Sequence, residues 1–178
     1  FRLNTDLAGL GGDAQYLRAK ISSTYYYQVA THWVVSIGGE VGHIQDLGEE
    51  IKINDRFFLG GDNLRGFEDS GVGPRVSGTD ESLGGRTFFT STAELSFPLG
   101  LPEELGFSGA VFTDIGTLID PVEDDSTILN VTTPRISAGV GLKWRSPFGP
   151  IRLDVALPVL KEDFDKEEIF RFNFGTRF

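Results

Sequence analysis

Residues 57–74 read FFLGGDNLRGFEDSGVGP, with Leu64, Arg65, Gly66 and Phe67 at the centre. Glycine at this density disfavours both helix and strand, because glycine loses more backbone freedom on ordering than any other residue. The stretch reads as a loop whose tip sets one guanidinium at a fixed place, a group suited to pairing with carboxylates. Taken alone, the same residues also fit a surface turn that carries an arginine, since short motifs have little specificity. The sequence on either side separates the two readings.

Both flanks alternate apolar and polar residues at period two, the pattern of strands with one buried face. Upstream, Phe1, Leu3, Thr5 and Leu7 alternate with Arg2, Asn4 and Asp6, and a turn falls at Gly11 and Gly12. Over residues 15–29, Leu17, Ala19, Ile21, Tyr25, Tyr27 and Val29 oppose Arg18, Lys20, Ser22, Thr24 and Gln28. Residues 32–43 follow a tight turn, with Trp33, Val35, Ile37 and Val41 opposing Ser36, Gly38, Glu40 and Gly42. Downstream, Phe89, Ala93, Leu95 and Phe97 oppose Thr90, Thr92, Glu94 and Ser96. Phe107, Val111 and Ile115 then oppose Ser108, Ala110, Phe112, Asp114 and Gly116. The last three strands carry Ile136 to Trp144, Ile151 to Leu157, and Phe170, Phe172, Phe174 and Phe178 on the apolar side. Their other side holds Ser137, Gly139, Gly141, Lys143, Arg152, Asp154, Arg171, Asn173, Gly175 and Arg177.

Eight such strands of roughly ten residues predict an all-β, antiparallel, up-and-down transmembrane β-barrel. A soluble sandwich is the competitor, but its strands are shorter and its polar face meets bulk water. There, bare glycines at 139, 141 and 175 gain nothing, whereas a neighbour packed closely on that face explains them. Gly175 also fits a second role, weakening strand pairing and letting the chain bend. The connections alternate short (30–31, 98–104, 146–149) and long (44–85, 118–133), with an intermediate one at 159–168, much as the two ends of an outer-membrane barrel do. An eight-stranded barrel has an interior just filled by side chains, leaving no room for a lumen-directed loop spanning 44–85. The eight strands are therefore expected to form an open meander, one domain over residues 1–178 and half of about sixteen strands. Trp33, Tyr25, Tyr27, Trp144, Ile151, Leu153 and Val155 are expected on the lipid side.

Composition narrows the function. The 178 residues carry a formal charge of −10, opposite to what a nucleic-acid phosphate backbone requires. No run approaches the eighteen apolar residues of a membrane-spanning helix. With no cysteine there is neither a disulfide framework nor a thiolate metal site, and with no methionine the chain reads as part of a longer one. His32 and His43 have no recognisable zinc spacing. Asp120, Glu123, Asp124 and Asp125 lack the glycine and closing glutamate of a calcium loop. Gly71-Val72-Gly73-Pro74 is no dinucleotide fingerprint, and no nucleophile elbow occurs. The expectation is a protein without enzymatic activity, cofactor or small-molecule substrate.

Several stretches resemble, in order, the BamA family of outer-membrane β-barrel assembly factors. LRGF at 64–67 is similar to that family's VRGF/Y motif on the long sixth loop of the barrel. The similarity continues through AELSF at 93–97, FTDIGT at 112–117, Ser137-Ala138-Gly139, Trp144, SPFGP at 146–150 and the phenylalanine-rich last strand. It covers the chain from its second strand onward and corresponds to the C-terminal half of such a barrel. The first half and the periplasmic POTRA domains lie outside it.

The resemblance implies that Arg65 is held inside the barrel by Glu94 and Asp114, both already on the polar face by alternation. An adjacent arginine keeps both acids charged, the opposite of what a catalytic carboxylate pair needs. It further implies a bacterial outer-membrane location, the lipid bilayer as surroundings, and nascent outer-membrane β-barrel proteins as clients. Lipoproteins of an assembly complex would bind through POTRA domains. The mechanism implied is mechanical: Phe170, Phe172, Phe174, Gly175 and Phe178 would form the closing strand, whose edge is offered to an incoming strand. A TamA-like assembly factor and a two-partner-secretion pore of the same superfamily are the alternatives.

Overall fold

The structure is a computed structural model that describes residues 2–8, 16–48, 51–79, 81–119, 128–129 and 131–175. Eight strands form one sheet. They are β1 (Arg2–Ala8), β2 (Tyr16–Ala30), β3 (Trp33–Asp46), β4 (Thr87–Pro98), β5 (Phe107–Ile119), β6 (Arg135–Ser146), β7 (Gly149–Leu160) and β8 (Phe170–Phe174). Each pairs antiparallel with the next, so β1 and β8 are the two ends of the sheet and do not pair with each other. The open meander expected from loop volume is what the sheet shows. Phe1, the Gly11–Gly12 turn, the acids at 120–125, Arg177 and Phe178 lie outside the described residues.

Register carries the alternation across the wall. Val35, Leu95, Val111, Val140, Val155 and Phe170 fall in one row, each opposite the next. Branched and aromatic side chains suit a pleated surface, and a slip by one residue would turn the whole row to the other face. Ile37, Tyr25, Tyr27, Val140, Leu157, Phe170, Phe172 and Phe174 are exposed, while Arg152, Asp154, Glu94 and Asp114 are buried. Charges covered and aromatics bare is the inverse of a soluble sheet and matches a wall facing lipid.

The loop begins later than its glycines suggest, because Ile44, Gln45 and Asp46 still pair with β2. Likewise β5 runs on to Ile119 and β7 to Leu160. Three inward positions correct the expectation of a polar inner face: Phe88, Phe112 and Leu118 are all buried apolar residues. The loop covers them. Ile51, Phe57, Leu59, Leu64, Phe67 and Val72 of the loop pack with Ile44, Phe88 and Leu118 of the wall into one core. Burial contributes about 1.5–3 kcal/mol per large apolar side chain, so this core, with its share of aromatic packing, holds the loop in the lumen. Phe57 and Phe88 meet with ring centroids 4.6 Å apart.

Candidate functional site

Arg65 emerges from the middle of that core, between Leu64 and Phe67, which are both fully buried. Gly66 beside it has φ +94 and runs antiparallel to Glu168, while Phe67 pairs with Glu167. A side chain at 66 would be strained there and would press on Ser137. The loop backbone is thus set before the arginine reaches out.

Its guanidinium meets a carboxylate on each of two adjacent strands. Nε and Nη2 donate to Oδ2 and Oδ1 of Asp114 on β5, both at 2.7 Å, the bidentate fork that lysine cannot make. The Arg65 backbone N–H donates to the same Oδ2 at 3.2 Å, and Nη1 donates to Glu94 Oε2 on β4 at 3.0 Å. The flat face of the guanidinium lies over the Phe112 ring, 3.4 Å from its centroid, a cation–π contact in a site shielded from water.

The cluster extends further than the two acids expected. Glu94 Oε2 also accepts from Arg152 Nη2 at 2.7 Å, and Arg152 Nε donates to Asp154 Oδ2 at 2.6 Å. Lys143 Nζ donates to the other Glu94 oxygen and, at 2.9 Å, to Ser96 Oγ. Asp154 Oδ1 lies 3.9 Å from Arg65 Nη1. Three cations, Arg65, Lys143 and Arg152, therefore face three carboxylates, Glu94, Asp114 and Asp154, a balance that buried charge requires. This cluster borders a luminal cavity of about 560 Å³, together with Ser22, Thr24 and Ser36 of β2 and β3.

Two glycines explain how so much fits against the wall. A Cβ at Gly139 would lie 2.6 Å from the Phe112 ring, and one at Gly141 would lie 2.4 Å from Asp154 Oδ1. The neighbours expected at 139 and 141 are thus the platform under Arg65 and the third acid. Gly175 is different: a Cβ there would meet nothing within 4 Å among the described residues, and its φ is +73. Of its two readings the structure fits the bend.

A second buried ion pair secures the segment before β8. Arg135 on β6 donates from Nε to Asp165 at 2.8 Å and from Nη1 to the carbonyls of Val131 and Thr133. Asp165 also accepts from the backbone of Glu162 at 2.8 Å. The neighbouring Lys166 exchanges backbone hydrogen bonds with Glu68 and Gly71 of the loop. Period-two reading placed 159–168 as a charged loop and gave Asp165 no partner; only the folded register shows one.

Arg65, Glu94 and Asp114 are therefore brought together, while Leu64 and Phe67 serve the loop core. Phe170, Phe172 and Phe174 point outward on β8, away from the cluster. Lys143, Arg152 and Asp154 had the correct face but no assigned partner. Their signal was the clustering of charge on a face that in a membrane wall has no bulk solvent.

A one-sided wall of antiparallel strands, apolar outside and plugged inside by a loop on an ion cluster, defines a segment of a transmembrane β-barrel. The Omp85 superfamily domain matches residues 1–178, and the chain belongs to this superfamily as part of an outer-membrane barrel. It is 34% identical to the outer membrane protein assembly factor BamA of Neorickettsia risticii, over 99% of this chain and 24% of that protein. BamA of Neisseria meningitidis is 29% identical over 99% of the chain and 26% of its own length. A SAM50-like protein of Schizosaccharomyces pombe is 29% identical over 92% of the chain and 36% of its own length. The crystal structure of Haemophilus ducreyi BamA lacking POTRA domains 1–3 superposes with a TM-score of 0.81. That match covers 93% of this chain and 36% of the other, at 23% identity, and it supports the fold. The resemblance to BamA factors read from LRGF, FTDIGT and SPFGP is borne out. The chain spans about a quarter of the length of the BamA relatives it matches.

Proposed function

We propose that this chain is the loop-bearing half-wall of an outer-membrane insertase, which folds β-barrel proteins into the membrane without enzymatic chemistry. The observation that carries the reading is the Arg65 anchor: a long loop is folded into the lumen and fixed to β4 and β5 by a charge-balanced ion cluster. Such a wall holds its interior rigid while β8 keeps one neighbour, β7, among the described strands. A β-edge beside a rigid wall is a template for an incoming strand. Clients of this kind are nascent outer-membrane β-barrel proteins, and accessory lipoproteins would bind through domains beyond this chain.

The test is complementation of a strain depleted of the full-length protein, with the level of heat-modifiable outer-membrane barrels as the readout. Arg65→Ala should fail to restore them although the variant itself reaches the membrane, and Arg65→Lys should restore them partly. Full restoration by Arg65→Ala would remove the loop anchor from the function. A two-partner-secretion pore is the competing reading, and planar-bilayer conductance separates it. A loop-plugged insertase should be nearly closed, whereas a secretion pore should pass ions.

A further inference from the structure

The loop also touches the inner face of β8. Asp62 Oδ1 accepts hydrogen bonds from Arg171 Nη1 at 3.2 Å and from Asn173 Nδ2 at 3.1 Å. Arg171 and Asn173 are the two inward side chains of β8. Arg171 Nη2 also donates to Asp69 Oδ1 at 3.2 Å and to Glu168. One guanidinium thus gathers three carboxylates, two from the loop and one from the segment leading into β8. Its side chain is 14% exposed although those of Asp62 and Asp69 are 62% and 81% exposed.

The loop backbone is shaped for this contact. Gly61 has φ +67, and a Cβ there would sit 1.8 Å from Asp69 Oδ1 and 3.0 Å from Arg171 Nη2. Glycine at 61 is what lets the loop come this close to β8. Four residues on, at Arg65, the same loop is fixed to Glu94 and Asp114, so it bridges from β4 and β5 across β6 and β7 to β8.

We propose that Asp62, Arg171 and Asn173 form a strut through which the anchored loop positions strand β8, so that the edge strand moves only when the loop lets go. The proposal rests on the assembly reading above and adds positioning residues to it. Three acids around one guanidinium make the strut one-sided: neutralising Arg171 leaves the carboxylates to repel one another and push loop and strand apart. On the outer side β8 presents Phe170, Phe172 and Phe174, each more than half exposed. Five residues of pairing with β7 make a short ladder, and the strut adds the polar contacts that hold its inner face.

The experiment uses the full-length protein in outer membranes, with Asp62→Cys and Asn173→Cys combined in a background free of other cysteines. Oxidation should join the two positions and abolish client assembly, with reductant restoring it at least tenfold. Neither single-cysteine variant should respond to oxidant. Undiminished assembly by the cross-linked protein would overturn the proposal. If the direct bond does not form, a short bismaleimide should join the two positions, and failure of both would overturn the proposal, because the positions would then not be neighbours.

Hydrogen exchange supplies a readout independent of assembly. Arg171→Gln should speed amide exchange over 170–174 severalfold, and Arg65→Ala, which touches no atom of β8, should do so as well. Unchanged exchange in β8 of the Arg65→Ala variant would overturn the strut. If exchange responds as stated while no variant or wild type restores client barrels, the assembly reading fails and the strut stands.

Discussion

Arg65 and Arg171 both bind carboxylates on the luminal side, yet they are built as opposites. Arg65 and its partners Glu94 and Asp114 have side chains 8%, 6% and 2% exposed. Cations and acids are equal in number there, an aromatic ring closes the remaining face, and two glycines are cut away to make room. Arg171 faces an excess of acids, most of them open to water. A balanced, enclosed cluster loses its charge partners only at high cost, whereas an open and unbalanced one is weak and screened. The first suits a fixed anchor and the second a contact that is made and broken.

The largest effect should come from Arg65→Ala. Removing one partner of a buried cluster costs about 3–5 kcal/mol, because the surviving charges are left unpaired, and water in the luminal cavity lowers that figure. The loop core of Phe67, Leu64 and Leu59 stays, so the barrel should keep its heat-modifiable gel mobility while protease gains access to 59–74. Loss of the folded band itself would mean that the anchor carries the wall as well as the loop. A double-mutant cycle refines this. Coupling of Arg65→Ala to Asp114→Asn should lie near the upper end of about 0.5–3 kcal/mol, and coupling to Glu94→Gln should be smaller. Asp114 receives the fork and a backbone N–H, whereas Glu94 is shared with Arg152 and Lys143. Equal couplings would contradict that division.

Phe112→Leu should have the next largest effect, since it keeps an apolar side chain but removes the ring face under the guanidinium. The cation–π contact is worth about 0.5–2 kcal/mol in a desolvated setting. Protease access to the loop should rise modestly, and no change would mean that the ring fills space over Gly139 and does nothing for Arg65.

The two arginines also differ in how far sequence revealed them. Period-two alternation put Glu94, Asp114, Lys143, Arg152 and Asp154 on one face, because a strand has only two faces and lipid rejects charge on the other. The family motif then singled out Arg65. What alternation cannot supply is the partner of a loop residue. Asp62 and Arg171 are 109 residues apart, and exposed acids in a loop look like ordinary solvated ones until the backbone at Gly60 and Gly61 brings them to β8. Phe88 and Leu118 were illegible for a related reason. Parity places them inward, but only the loop core explains why apolar residues belong there. The open sheet order was legible because it follows from volume: a loop this long needs a wide lumen.

The smallest expected effect sharpens the comparison most, because it asks whether Arg171 is held by charge or by shape. Arg171→Lys keeps the charge and gives up the fork. Exposed pairs contribute about 0.2–1 kcal/mol each, and here the acids are shared and partly hydrated, so the change in loop protection should stay within that range. Arg65→Lys should instead lose most of its anchor, since a point charge cannot satisfy both oxygens of Asp114 and reach Glu94 as well. Salt should separate the sites again. At about 1 M ionic strength the screening length falls to about 3 Å, which weakens contacts among exposed charges and leaves enclosed ones nearly intact. In wild type, then, raised salt should loosen β8, seen as faster amide exchange over 170–174, while 64–67 stays protected. In Arg171→Gln the β8 exchange should already be fast and should no longer respond to salt. Salt sensitivity at 64–67, or its persistence at β8 after Arg171→Gln, would show that the two arginines are not the fixed and the releasable contact that their surroundings indicate.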